Sequence, residues 1–127
     1  MNVALDTNAY SDFLRGFENR VRVVRAAEQI HIPLIVLGEL RAGFAAGSRE
    51  DENLQILRQF LASPRVSILA PDESTTKYYA RIYIQLRKEG LAIPTNDLWI
   101  AALALQHDLF LCSSDGHFEH VRGLNVC

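Results

Sequence analysis

Residues 93–105, Ile-Pro-Thr-Asn-Asp-Leu-Trp-Ile-Ala-Ala-Leu-Ala-Leu, leave this chain the least freedom of any stretch in it. Pro94 forbids a helix running into the segment, and Thr95 or Asn96 can cap one that starts there. From Leu98 to Leu105 every residue is apolar, so the helix has no face for water and must be buried, packed against a sheet. Asp97 then falls in the first turn, where the positive end of the helix dipole favours an anion. Taken alone, one such acid is most simply a helix-start residue. Three further acids at similar points change that reading.

A buried helix needs a core around it. With 127 residues, 49% of them hydrophobic, the chain can build one, and a single domain over residues 1–127 is expected. No apolar run is long enough to span a bilayer and no charged-then-apolar leader opens the sequence, so the expectation is a soluble, cytoplasmic protein with no membrane partner. Cys112 and Cys127 make no disulfide or zinc framework. The net charge of −2 supplies no general field for nucleic acid. Of the 13 basic residues only Lys77 and Lys88 are lysines, and the arginines that remain permit a local phosphate contact.

Strand and helix alternate along the chain. Residues 2–5 are short and mostly apolar and read as a buried strand, followed at Asp6-Thr7-Asn8 by a helix that Gly16 ends. A second helix covers residues 18–29, with Val21, Val24 and Ala27 inward and Arg20, Arg22 and Arg25 around the rest. Residues 30–37 read as a second strand, bent or near an edge at Pro33, with His31 a satisfied, partly buried histidine. A helix then opens at Gly38, with Glu39 in its first turn, and closes at Gly47. An amphipathic helix follows over residues 49–62, then a strand over 66–70. The next helix, from about Asp72 to Glu89, carries Tyr78, Tyr79, Ile82, Tyr83 and Leu86, a stripe wide enough to suggest a subunit contact. After the opening segment come a strand over 109–112 and a small last one over 124–126.

That alternation predicts an α/β fold, a parallel sheet with helices on both faces. Ligands bind such sheets beyond the carboxyl ends of the strands, where strand order reverses. Asp6, Glu39 and Asp115 lie just past strand ends, and Asp97 at a helix start can face the same rim. Gathered there, the carboxylates repel one another, and no Lys or Arg recurs beside all of them. Oxygen-only ligands of this kind suit Mg²⁺ or Mn²⁺ and not zinc. Asp6 and Asp97 are expected as direct ligands, with Glu39 and Asp115 bound directly or through water, and Glu39 or Asp115 as general base. Asp115, His117 and His120 form a second conceivable metal set, set aside because histidine suits Mg²⁺ poorly.

The pieces Leu5-Asp6-Thr7-Asn8, Leu37-Gly38-Glu39-Leu40-Arg41-Ala42-Gly43, Asn96-Asp97-Leu98-Trp99-Ile100-Ala101-Ala102 and Ser113-Ser114-Asp115-Gly116-His117-Phe118 arrive in the order found in one family. The chain resembles PIN-domain ribonucleases, specifically the VapC-type toxins of bacterial toxin–antitoxin pairs. The match runs over essentially the whole chain, and the family's acids fall on Asp6, Glu39, Asp97 and Asp115. Ser113 and Ser114 stand where the family often has Thr and Asn.

The resemblance implies a doubly wound three-layer sandwich around a mainly parallel sheet, and RNA cleavage with Mg²⁺ or Mn²⁺. It also implies a homodimer bound by a small DNA-binding antitoxin. Arg41, Asn96 and Ser113 are the candidate RNA contacts.

Rival classes fail on particular residues. A haloacid-dehalogenase-type hydrolase needs an acid where Asn8 stands, and a receiver domain needs a lysine after a late strand. Neither a phosphate-binding Gly-Lys loop nor a nucleophile elbow is present. The remaining alternative is a catalytically inactive PIN-like module that only binds RNA or protein, which the loss of an acid would favour; none is lost.

Overall fold

A computed structural model describes residues 1–127. Four strands, β1 (Asn2–Leu5), β2 (Gln29–Pro33), β3 (Val66–Leu69) and β4 (Phe110–Cys112), form an all-parallel sheet in the order β3-β2-β1-β4. Helices α1 (Thr7–Leu14) and α2 (Glu18–Ala26) connect β1 to β2, and α3 (Leu34–Ala46) and α4 (Glu50–Leu61) connect β2 to β3. The chain then crosses back through α5 (Glu73–Lys88) and α6 (Thr95–Gln106) to β4, on the far side of β1. Right-handed crossovers that travel in opposite directions lie on opposite faces, which makes the doubly wound sandwich. Its direction reverses between β1 and β4, so the ligand crevice of this topology opens above Leu5 and Cys112, which pair in register.

β1 and α6 form the centre of a hydrophobic core of 24 buried residues. Val3, Ala4 and Leu5 are fully buried, as are Ile100 to Ala104. A fully buried Leu or Ile contributes roughly 1.5–3 kcal/mol, so the all-apolar helix is held by burial on most of its circumference. Tyr10 and Phe13 of α1 meet Phe60 of α4, at ring distances of 5.3 and 5.8 Å, and tie neighbouring crossovers together.

Several expectations are corrected. The strand expected over residues 30–37 ends at Pro33, and Leu34 to Leu37 form the first turn of α3 instead of strand. Pro33 lacks the N–H that would extend a ladder and stands at the N-cap of α3, while β2 is an interior strand and not an edge. Val36 and Leu40, one helical turn apart, are both buried, so core packing overrides the strand preference of Ile35 and Val36. Glu39 therefore sits in the second turn of α3 and not at its start. Helix α6 has Pro94 at its N-cap and no side-chain cap from Thr95 or Asn96. Residues 124–126 make a single bridge, Leu111 to Val126, and no strand of their own.

Candidate active site

Asp6 follows the last residue of β1 and caps α1, its Oδ1 accepting from the Ala9 N–H at 2.8 Å. Its other oxygen accepts from the Ser113 hydroxyl, at the end of β4, so both strands of the crevice hold one carboxylate. Ser113 Oγ also accepts from the Asp115 N–H at 3.0 Å. Asp6 is only 6% exposed, and that burial pushes its carboxyl above its ordinary pKa. The bonds from Ser113 and Ala9 and the Arg20 charge oppose the shift, while the Asp97 charge adds to it. The cap reading of Asp6 is thus correct as local structure, and the same carboxylate lines the crevice.

The other acids surround it. Thr7, next to Asp6, donates its hydroxyl to Glu39 Oε1 at 2.8 Å and brings α3 to the rim. Asp97, in the first turn of α6, lies 3.0 Å from His117 Nδ1, and Asp115 Oδ1 lies 3.1 Å from the same nitrogen. Asp115 caps the 3-10 helix Gly116–His120, accepting from the His117 N–H at 2.9 Å. One ligand atom each from Asp97, Asp115 and His117 falls within 4.8 Å of the others. Burial first, then the charges of Asp115 and Glu39, push the Asp97 carboxyl above its ordinary range against its bond to His117. Asp97 is thereby the shared neighbour, its charge felt at Asp6 and its own carboxyl feeling Glu39 and Asp115.

No Lys or Arg forms an ion pair with any of these four acids. Four hard oxygen donors with no Lys or Arg paired to them, two of them raised by burial first and by neighbouring acids after it, are a set that fits a divalent cation. His117, weighed against in the sequence, belongs to the cluster: its imidazole is raised above the ordinary range by Asp97 first. The spacing Asp115-x-His117 is its sequence signal; metal preference argues against histidine as a Mg²⁺ ligand, but the nitrogen here meets two carboxylates. Thr7, within the Leu5-Asp6-Thr7-Asn8 piece, has no sequence signal for its bond to Glu39. Of the RNA-contact candidates, Arg41 and Asn96 are exposed, whereas Ser113 is 8% exposed with its hydroxyl committed to Asp6. His120 points to no acid; its carbonyl accepts from Gln85.

Carboxylates on the rim of an all-parallel, doubly wound sheet, at its switch point, define an α/β protein with an acidic crevice. The chain belongs to the PIN domain family, whose model matches residues 3–124. The plasmid stability protein StbB of Pseudomonas syringae pv. tomato is 36% identical, over 98% of this chain and 95% of that protein. Ribonuclease VapC4 of Mycobacterium tuberculosis is 30% identical, over 75% of this chain and 73% of its own. Among solved structures, VapBC2 from Rickettsia felis bound to a DNA fragment from their promoter matches with a TM-score of 0.86 and 27% identity. That match covers 100% of this chain and 98% of the other. The expected family and sandwich fold are borne out, with the sheet wholly and not merely mainly parallel.

Proposed function

We propose that this protein, with residues 1–127 working as one PIN domain, is the toxin of a toxin–antitoxin pair, a metal-dependent endoribonuclease that hydrolyses RNA phosphodiester bonds. The observation that carries the reading is the crevice: Asp6, Glu39, Asp97 and Asp115 at the switch point, with His117 between Asp97 and Asp115 and no Lys or Arg paired to any of the four. The relatives named as VapC ribonucleases support the substrate class.

Asp6 and Asp97 would hold Mg²⁺ or Mn²⁺ directly, with Glu39 and Asp115 holding it directly or through water. A divalent ion bound there supplies Lewis-acid polarisation of a water and of the phosphoryl oxygens. Ser113 and the Ala9 N–H fix the Asp6 carboxylate in one orientation, so it needs no reorganisation when charge develops. Thr7 does the same for Glu39. Glu39 or Asp115 then accepts the proton of the attacking water. Arg41 and Asn96, exposed beside the rim acids in sequence, are the proposed backbone contacts.

The partners proposed with this activity are a small DNA-binding antitoxin and a second copy of the chain, in the cytoplasm. The solved neighbour described as VapBC2 bound to a DNA fragment from their promoter supports the first. Tyr83 and Ile84, 45% and 47% exposed on α5, supply an apolar face for the second. No helix is long and apolar enough to cross a membrane. Purified protein incubated with RNA and Mg²⁺, with and without chelator, tests the reading alongside Asp97→Asn. Cleavage that survives both chelator and the substitution would remove the site assignment.

A further inference from the structure

Residues 124–127 run beside β4. The Leu111 N–H donates to the Asn125 carbonyl at 2.8 Å, Cys127 N–H to Leu111 at 2.8 Å, and Ser113 N–H to Cys127 at 3.2 Å. The parallel bridge of Leu111 with Val126 sets the next residues, Cys112 and Cys127, opposite each other. Neighbouring strands stand about 4.8 Å apart, inside the roughly 4.4–6.8 Å that a disulfide spans between Cα atoms. Both cysteines are free, and their sulfurs lie 2.7 Å apart. Less than about 1 Å of travel separates that contact from a bond of about 2.05 Å.

The two thiols differ in access. Cys112 is fully buried, whereas Cys127 is half-buried and walls a cleft of about 420 Å³ together with Asn19, Arg20 and Ser114. Arg20 Nη1 donates to the Cys127 carbonyl at 3.1 Å. The Cys112 hydrogen bond, helped by the Arg20 charge, holds the Cys127 thiol below its ordinary pKa, and the thiolate is the reactive form.

We propose that Cys127 and Cys112 are a redox pair, which a low-molecular-weight disulfide converts into an intramolecular disulfide clamping residues 124–127 to β4. In the first step the Cys127 sulfur attacks one sulfur of the reagent from the cleft. The reagent's S–S bond breaks, one thiolate leaves, and Cys127 carries a mixed disulfide. The departed thiolate takes the proton of Cys112, whose sulfur attacks Cys127 Sγ and expels the second thiolate, which picks up the proton that Cys127 released on becoming the nucleophile. The protein loses two electrons and two protons, and one reagent disulfide becomes two thiols. Where glutathione keeps thiols reduced the pair rests open, so it reports oxidation and does not hold the fold together. Ser113 follows Cys112 directly, its N–H on the Cys127 carbonyl and its hydroxyl on Asp6, so the clamp acts on the strand end that carries the acidic rim. Nothing in this step depends on what the acids bind.

The full chain, reduced and then equilibrated in buffers of graded glutathione to glutathione disulfide ratio, is alkylated, weighed intact and melted. The expected product is a monomer two hydrogens lighter, with no alkylatable thiol and a Tm higher by on the order of 10 °C, reversed by dithiothreitol. Cys112→Ala accumulates glutathione on Cys127, and Cys127→Ser stays unmodified. A wild-type chain that ends as a stable glutathione adduct, as a linked dimer, or with both thiols still alkylatable in the most oxidising buffer overturns the proposal. Should Cys112→Ala not fold, Cys127→Ser decides alone: a Cys112 thiol modified in it as fast as in the wild type overturns the order of attack.

Discussion

Asp97 is held above the ordinary carboxylate range by burial first and by Asp115 and Glu39 after it, and that shift has a consequence for stability. A carboxyl that binds its proton more tightly when folded contributes stability that is present below its unfolded pKa and lost as pH rises through the folded value. At neutral pH the metal-free protein therefore carries the whole penalty, and Asp97→Asn melts higher than the parent in a chelator. The gap closes as pH falls below the carboxylate range. Excess Mg²⁺ reverses the order, because only the parent gains binding energy, about 2.7 kcal/mol with the ion at a hundred times its dissociation constant. Melting curves in chelator and in Mg²⁺ check this; a substituted protein that melts lower in chelator and responds equally to Mg²⁺ makes Asp97 a helix-start residue and nothing more. Ser113 offers a second test. Its hydroxyl serves a buried carboxylate, so Ser113→Ala lowers stability by about 1.5–3 kcal/mol, read from urea midpoints. An effect within experimental error would mean that Asp6 is satisfied without it.

The elements give a sharper test of where α3 begins. Gly38 lies in its second turn with open space where a Cβ would stand, so Gly38→Ala stabilises by about 0.5–1 kcal/mol. Gly90 ends α5 with a φ of +70° and equal room around it, so the same substitution there destabilises by about 1–2 kcal/mol, through the backbone alone. Opposite signs in paired urea titrations are the expected outcome; a destabilising Gly38→Ala would return residues 34–37 to the strand reading. That segment also shows what the sequence withholds. In residues 30–37 the β-branched Ile30, Ile32, Ile35 and Val36 suit a strand throughout, and Pro33 marks a break without saying on which side helix begins. Burial of Val36 with Leu40 decides it, and that is a property of the packed molecule. The strand end and helix start at Asp6, and the helix start after Pro94, are legible because turn and cap residues act within a few positions. The bond from Ser113 to Asp6 spans 107 residues, and neither Thr7 on Glu39 nor His117 between two acids has a local signature.

For the whole molecule, the crevice sets the terms on which the proposed antitoxin would silence it. We expect a natural inhibitor to place an Arg among the acids, since a guanidinium pairs bidentately with a carboxylate and no Lys or Arg of this chain forms an ion pair with any of the four. A complex with the acids open to solvent and only apolar contacts would count against it. The strand order has a different implication, concerning how the protein is made. β1 precedes the other strands in the chain and gains its β4 neighbour only when residues 110–112 exist, so until then its β4-facing edge is bare. Contacts of that sequence separation form late and slowly. Until then Asp6 lacks Ser113, and Asp97 and Asp115 have not met. A nascent chain that has not reached residues 110–115 therefore has no assembled acidic crevice, and the proposed activity would be switched on only once that segment has joined β1.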